Sequence, residues 1–360
     1  MLQQRASANL SGAFSTESIT VPSGAVKQKR VLITGAGGSI GSALAHAVAI
    51  HKPAQILLLE ASEQALYQID RDLAVPHKPI LASVCDPSAL EEIFDRDKPQ
   101  IVFHAAAFKH VPLMELHPFE ALQNNTVGTF ILTHTAIRHG SEQVIVVSTD
   151  KAVDPASIMG ASKRIAELTA VALQSSATRI KAVRLGNVYA SQGSAVLLFQ
   201  EQIAQNKPVT VTHPDATRYF ITVEEAAALL LYALNEGLSS SILVPEMKDP
   251  VRIDEIAKSL IEQAGSQSQI VYTGLRPGEK LHEQLLSANE SFLQGASAPL
   301  RPIRSETISV AEAEEAIGEL QKAVQERNLS QLLRIVVRLV PSYEPSETLL
   351  EHQACAECRV

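Results

Sequence analysis

A strand that runs straight into a glycine-rich turn and then a helix limits this 360-residue chain to few architectures. Residues 30–34 read as the strand. Gly35, Gly38 and Gly41 stand three apart in GAGGSIG. An Ala-rich helix follows over 42–50, and a second strand over 55–59 ends in Glu60. Glycines at this spacing permit a tight turn and let the backbone approach a pyrophosphate, which rests on the helix N-terminus. Alone, the pattern fits a plain strand-to-helix turn as well. The flanking strand, the helix and the acidic end of the next strand favour a dinucleotide loop. Gly35, Gly38, Ser39, Ile40 and Gly41 are therefore candidate cofactor contacts. Glu60 is placed to accept from both ribose hydroxyls and to repel a 2′-phosphate, which favours NAD over NADP; the plainer reading is a surface carboxylate.

The alternation continues. A third strand spans 80–84, with Asp86 just beyond it, either bonding an adenine amino group or capping the helix that starts near Pro87. A fourth spans 100–104 and opens into Ala105, Ala106 and Ala107, small residues that let backbone pass close to a cofactor. Lys109 and His110 follow, facing a phosphate or sugar, or simply solvated. A helix over 118–139 carries Asn124 and Asn125 among apolar residues; buried amides need partners, and Asn125 is either structural or a brace for site backbone.

Residues 144–147 are a buried strand that breaks into Ser148, Thr149, Asp150 and Lys151. Ligands of open α/β sheets bind at that edge. Pro155 suits a helix start, and Met159 and Lys163, four apart, share one helix face. A sixth strand, 180–185, leads to Gly186 and Asn187, where the regular alternation lapses. A smaller lobe is expected from there, with helices at 196–205, 223–235 and 254–264 and short strands at 208–212 and 241–244, the last returning toward the main lobe. Thr222 and Glu225 form a capping-box signature. Arg276 in LRPGEK is either a bidentate phosphate ligand or the ion-pair partner of Glu279.

These elements predict an α/β fold: a Rossmann-type doubly wound parallel sheet with helices on both faces, plus a smaller C-terminal α/β substrate-binding lobe. The expected division is a flexible leader over 1–28, a nucleotide-binding domain over 29–186, a mainly substrate lobe over 187–340 and a mobile tail over 341–360. A hydrophobic content of 46% suits a globular enzyme, and a formal charge of −8 argues against a general nucleic-acid binder. Cys85, Cys355 and Cys358 make no disulfide framework and fit a reducing cytoplasm. The Cys355–Cys358 spacing beside His352 lacks a second ligand pair, so no metal site is expected. No apolar run reaches membrane-spanning length.

With these residues in view the chain resembles the extended short-chain dehydrogenase/reductase enzymes. More closely, it resembles the bacterial, CapD-like UDP-N-acetylglucosamine 4,6-dehydratases of capsule, O-antigen and protein-glycan synthesis. The likeness covers about residues 29–340. It is carried by TGAGGSIG at 34–41, FHAAAFKHVP at 103–112, STDKAVDPASIMGASKR at 148–164, RLGNV at 184–188, HPDATRYF at 213–220 and LRPGEK at 275–280. Many relatives carry a membrane region and a further domain ahead of this unit, so the resemblance implies the soluble catalytic part.

It also implies a UDP-sugar substrate and a chemistry: C4 oxidation by NAD, loss of water across C5 and C6, and hydride return to C6. One site then needs a base and an acid side by side. By resemblance Lys151 is the base at C5 and Asp150 the acid at C6. Such a Lys needs a depressed pKa, and such an Asp must be kept protonated. Ordinary superfamily members have Tyr where this chain has Met159, a substitution typical of the subfamily; a thioether exchanges no proton. The C4 proton acceptor stays open between Thr149 aided by Lys163, Asp150 or water, and Tyr189. Lys163 is implied to hold the nicotinamide ribose. Lys109, His110, Asn187, Arg218 and Arg276 are implied around the UDP-sugar, with the arginines on the diphosphate. Ser157 stands where relatives often have Asn and still suits a helix cap. The superfamily's usual dimer, pairing helices 118–139 and 159–173, implies a homo-oligomer. The rival readings are a UDP-sugar 4-epimerase, for which Asp150 and Lys151 lack a purpose, and an inactive NAD-sensing regulator, which Met159 invites.

Overall fold

The structure, a computed structural model, describes residues 24–357 apart from 174, 176, 236–240 and 294–298. The leader expected over 1–28 therefore falls mostly outside the described residues. In chain order the first half runs β1 (Arg30–Thr34), α1 (Ser39–Ile50), β2 (Gln55–Glu60), α2 (Glu63–Asp72), β3 (Lys78–Leu81), α3 (Pro87–Asp97) and β4 (Ile101–His104). There follow α4 (Val111–Leu116), α5 (Pro118–Ala121), a π-helical turn (Leu122–Val127), α6 (Gly128–Arg138), β5 (Gln143–Thr149), a 3₁₀ turn (Asp150–Ala152), α7 (Ile158–Ala172) and β6 (Arg179–Leu185). The smaller lobe is assembled from β7 (Asn187–Val188), α8 (Ala195–Ala204), β8 (Val209–Val211), β9 (Thr217–Arg218) and β10 (Phe220–Ile221). After α9 (Val223–Ala233) and β11 (Ser241–Pro245), it gains β12 (Val251–Arg252), α10 (Ile253–Gln263) and β13 (Ile270–Tyr272). The chain closes with β14 (Ser291–Phe292), β15 (Leu300–Arg304), α11 (Val310–Gln325), α12 (Leu329–Leu339) and α13 (Glu347–Glu357).

The main sheet has the order β14-β15-β11-β6-β5-β4-β1-β2-β3. It is parallel from β3 to β11, with β15 and β14 added antiparallel. The chain moves outward from β1 through β2 to β3, then restarts at β4 on the other side of β1. That reversal opens a crevice at the carboxyl ends of β1 and β4. Strand period two explains the layers. Val31, Ile33, Ile56, Leu58 and Ile145 enter one apolar cluster with α1 and α9; Leu32, Leu57, Val102, Val144 and Val146 enter another with α3 and α6. Both faces are covered, so the strands read as continuous apolar runs.

Local chemistry sets the helix starts. Thr222 and Glu225 bond reciprocally as a capping box, and the Ser157 hydroxyl accepts from Gly160 N–H at 3.0 Å. Expected boundaries shift in places. The third strand is Lys78–Leu81 rather than 80–84, because 82–86 turn into the cap of α3. The expected helix 118–139 contains the π-helical turn, which sets Asn125 inward.

Every residue of α7 from Ile158 to Ala170 is buried, because α11 and α12 pack over α7 and the π-helical turn. Ile317, Leu320, Leu332, Leu333 and Val336 join Leu122, Val127, Ile158, Ala161 and Ile165 in a third cluster. The chain's own C-terminal helices thus cover this face of α7. The tail packs in this same cluster: Tyr343 and Leu349 are buried in it, and Ser346 Oγ donates to Glu115 Oε2 at 2.5 Å. Cys358 and the side chain of Cys355 lie outside the described residues. Among the described residues no His, Cys, Asp and Glu cluster is arranged to hold a metal, and no helix is long and apolar enough to cross a membrane.

A buried ionic network ties α7 to the sheet. Arg184 on β6 donates to Glu167 Oε1 and Oε2, both at 2.9 Å, and to Glu290 at 2.6 and 2.8 Å. Arg164 adds a bond to Glu167 at 3.0 Å, and Ser148 Oγ donates to Glu167 Oε1 at 2.6 Å. Burial works against the Glu290 charge, but Arg184 outweighs it and holds the carboxyl down at about 2. Removing one member leaves buried charge uncompensated. Arg184→Met should lower unfolding free energy by about 3–5 kcal/mol in chemical denaturation; a loss below about 1 kcal/mol would show the network contributes little.

Candidate active site

The glycine loop is built for close approach. Gly35 has φ +65°, and a Cβ there would lie 2.6 Å from Ala106 N, so β1 and the Ala105–Ala106 backbone touch. A Cβ on Gly41 would lie 2.1 Å from Gly35 O, which pins α1 against its own turn. Gly38 is the extended N-cap of α1 and supplies no side-chain cap, so the first-turn N–H groups keep their capacity for an anion. Ile40 packs against the core, and Ser39 Oγ accepts from Gln192 N at 3.0 Å, joining the loop to the smaller lobe. Glu60 Oε2 accepts from Gly37 N at 3.1 Å, and Oε1 from Ala61 N and Ser62 N. Asp86 Oδ1 accepts from Ser88 N and Ala89 N, which is the capping reading.

At the far wall of this crevice β4 ends in His104, which is fully buried. Thr129 Oγ1 donates to Asn125 O at 2.6 Å, so it accepts from His104 Nε2 at 2.8 Å, and His104 Nδ1 accepts from Thr34 Oγ1 at 2.7 Å. Burial, helped by the Lys163 charge, pulls His104 down to about 3 and keeps it neutral. Asn125 braces the next backbone: Phe108 N donates to its Oδ1 at 2.8 Å, and its Nδ2 donates to Phe108 O at 2.9 Å. Lys163 is 4% exposed, and its Nζ makes no hydrogen bond or ion pair among the described residues. Burial lowers its pKa to about 8. A glycine cradle, an open helix N-terminus and a partnerless buried amine together fit a dinucleotide.

The strand β5 delivers the chemistry. Thr149 Oγ1 donates to Asp150 Oδ1 at 2.9 Å, and Lys151 Nζ donates to the same oxygen at 2.9 Å. Lys151 Nζ also donates to Asn187 Oδ1 at 2.7 Å. Asp150 is fully buried, and its Oδ2 has no hydrogen-bond partner. Helix α7 presses on this turn through Gly160, where a Cβ would lie 2.3 Å from Lys151 O. The expected depression of the Lys151 pKa is not present. Burial pulls it down, but the charges of Asp150 and Glu283 prevail and raise it above the ordinary lysine value. The pair is an ion pair.

The remaining candidates divide. Met159 is 3% exposed and sits in the third apolar cluster, so its thioether packs and carries no chemistry. Tyr189 stacks edge-on to Phe220 at 6.3 Å within the smaller lobe. Lys109 Nζ reaches Ser191 Oγ at 3.3 Å, and the His110 ring lies against Gly193, so both meet the loop that rims the crevice. Arg218 is buried, with its guanidinium donating to Thr217 O, Leu281 O and Lys280 O. Arg276 pairs with Glu279 Oε1 at 3.0 Å through Nε, the ion-pair reading. Both arginines are thus engaged by protein here, because carbonyls and a carboxylate of the 276–283 segment lie within reach.

Sequence reasoning missed Lys280 and Glu283. Lys280 Nζ donates to Val153 O at 2.7 Å, and Glu283 Oε1 lies 3.6 Å from Lys151 Nζ and 3.7 Å from Arg218 Nε. Lys280 closes the LRPGEK block and Glu283 lies three residues beyond it, which is the signal the sequence offered. The assembled site offers a hydroxyl, a carboxylate and an amine in one hydrogen-bonded string beside a dinucleotide cradle. It is suited to moving protons on a polyol next to a hydride acceptor.

A family model described as polysaccharide biosynthesis protein matches residues 31–298. The capsular polysaccharide biosynthesis protein CapD of Staphylococcus aureus is 43% identical over 273 residues, 73% of this chain and 46% of that protein. A UDP-glucose 4-epimerase of Rickettsia typhi is 36% identical over 272 residues, 73% of this chain and 79% of that one. Among solved structures, Pen from Bacillus thuringiensis superposes with a TM-score of 0.72 at 28% identity, covering 82% of this chain and 98% of that one. The UDP-glucose 4-epimerase of Thermus thermophilus, solved in complex with NAD, has a TM-score of 0.61 at 21% identity, over 72% and 90%, and shares the fold. The chain spans about half the length of the first curated relatives it matches, 46% in each case. By the extent of these matches, the chain belongs to the family of polysaccharide biosynthesis proteins.

Proposed function

We propose that this chain is an NAD-dependent 4,6-dehydratase that converts UDP-N-acetylglucosamine to a UDP-4-keto-6-deoxy sugar for bacterial glycan synthesis. The observation that carries the reading is the hydrogen-bonded string Thr149–Asp150–Lys151 at the mouth of the crevice. An epimerase needs nothing at C5, and this string supplies both an acid and a base. NAD, held by Gly35, Gly38, Ser39, Ile40, Gly41, Glu60, Ala105, Ala106 and Lys163, supplies the hydride acceptor at C4 and donor at C6. Glu60 beside the glycine loop supports NAD over NADP.

The protons balance without a depressed Lys151 pKa. An ion pair and a neutral acid–amine pair hold the same single proton. Excluding water around the substrate penalises the charged form, so the Lys151 proton moves to Asp150 along their 2.9 Å contact. Neutral Lys151 then takes the C5 proton while protonated Asp150 gives its proton to the departing C6 hydroxyl, and one water leaves. Lys151 later returns its proton to C5, and the pair, then one proton short, is reloaded from solvent with the equivalent of the proton that the C4 hydroxyl released. Thr149 receives the C4 hydroxyl proton on its way to solvent, aided by the positive field of Lys163. Asn187 keeps Lys151 aimed. Lys109, Arg218 and Arg276 are the cationic groups for the UDP moiety, and His110, held below the ordinary imidazole value by burial and by the Lys109 charge, is a neutral group beside them.

Incubation with UDP-N-acetylglucosamine and NAD tests the reading by product mass. A product lighter by one water supports it, whereas a C4 epimer of unchanged mass supports the epimerase, which the rickettsial relative keeps in play. Asp150→Asn and Lys151→Met should each slow product formation by about 10²–10⁴-fold while leaving transient nicotinamide reduction detectable. The rate of C4 oxidation should fall as pH rises through about 8, where Lys163 loses its charge, and Lys163→Met should abolish that break. A rate that keeps climbing through this range would remove Lys163 from the step.

A further inference from the structure

Four charges close on one another at the catalytic turn, and one of them has no part in the reading above. Glu283 is 7% exposed, and its Oε1 lies 3.6 Å from Lys151 Nζ and 3.7 Å from Arg218 Nε. Its Oε2 is buried without a hydrogen-bond partner. A buried carboxylate oxygen left unpaired is costly, and a neutral side chain of the same shape would avoid that cost. The segment's fold does not depend on the charge, since Arg218 already holds it through backbone carbonyls.

We propose that Glu283 is a positioning residue of the Asp150–Lys151 pair: its negative charge, 3.6 Å from Lys151 Nζ, strengthens the pair's hold on protons and so sets where acid inactivates the pair. The inference rests on the pair acting as acid and base. Lys151 faces Asp150 from its own turn, Glu283 and Lys280 from the segment after Gly278, Arg218 from β9 and the neutral amide of Asn187 from β7. The two anions balance Lys151 and Arg218, while Lys280 adds positive charge at the rim. Without Glu283 the cluster becomes more positive by one charge, and every protonation of the pair becomes harder.

The sign of the effect follows. Activity is lost at low pH when the pair takes up a second proton and no base remains. Removing the Glu283 anion lowers the proton affinity of the pair, so that acid limb moves to lower pH. The alkaline break near 8 belongs to Lys163, for which Glu283 is not a cause, and it stays in place.

The test is the pH profile of kcat/KM for keto-sugar formation by the unaltered chain and by Glu283→Gln, with melting temperature checked for each. The expected result is an acid limb displaced downward by about one pH unit with the alkaline limb unmoved. Glu283→Asp keeps the charge but draws it back, and should shift the same limb by less; it carries the test if Glu283→Gln does not fold. Superimposable limbs with only a lower plateau would mean a structural role and overturn the proposal. An unaltered chain that makes no keto-sugar would overturn the underlying reading and this inference with it.

Discussion

Charge burial at the end of β5 is the constraint on which the rest of the molecule depends. Asp150 is fully enclosed and Lys151 partly so, and the Asp150 charge could not sit there alone, because an isolated ion in such a site costs several kcal/mol. Their mutual contact, together with Asn187, Arg218 and Glu283, satisfies most of that demand. The arrangement holds a proton at a definite place without fixing which of two atoms owns it, and it supports the dehydratase reading.

The neighbouring helix shows how the scaffold serves this pair. Helix α7 is enclosed on all sides, which allows it to carry functional groups in opposite directions. Gly160 brings it onto the catalytic turn, Lys163 is presented to the crevice, and Glu167 enters the network with Arg184 that also anchors Ser148, two residues before Asp150. A helix with one wet face could not do this. The cover comes from α11 and α12, whose apolar stripes pack on it.

Much of this was readable from local patterns. The glycine loop with Glu60, the capping box at Thr222 and Glu225, the Ser157 cap and the abrupt end of β5 depend on residues within a few positions of one another, where spacing carries geometry. Asn125 was legible as a buried amide needing partners, though not which backbone it would hold. What escaped reading is long-range. Glu283 meets Lys151 from a distant segment, Arg218 spends its donors on carbonyls near Lys280, and the docking of Tyr343 and Ser346 on α4 leaves no periodic trace. Met159 holds the position of the superfamily's Tyr without its proton, and its side chain joins the core that α11 and α12 build on that side. The Lys151 pKa was misjudged because burial was visible in prospect and the second carboxylate was not.

The account's central claim is that the Asp150–Lys151 pair works on the C5 proton. Turnover in deuterated water, with the product sugar read by NMR, tests it most directly. Deuterium at C5, lost in Lys151→Met, is the predicted result, because Lys151 exchanges its protons with solvent between taking and returning one. A keto-sugar formed with the original hydrogen still at C5, or C5 deuterium that survives Lys151→Met unchanged, would contradict the account.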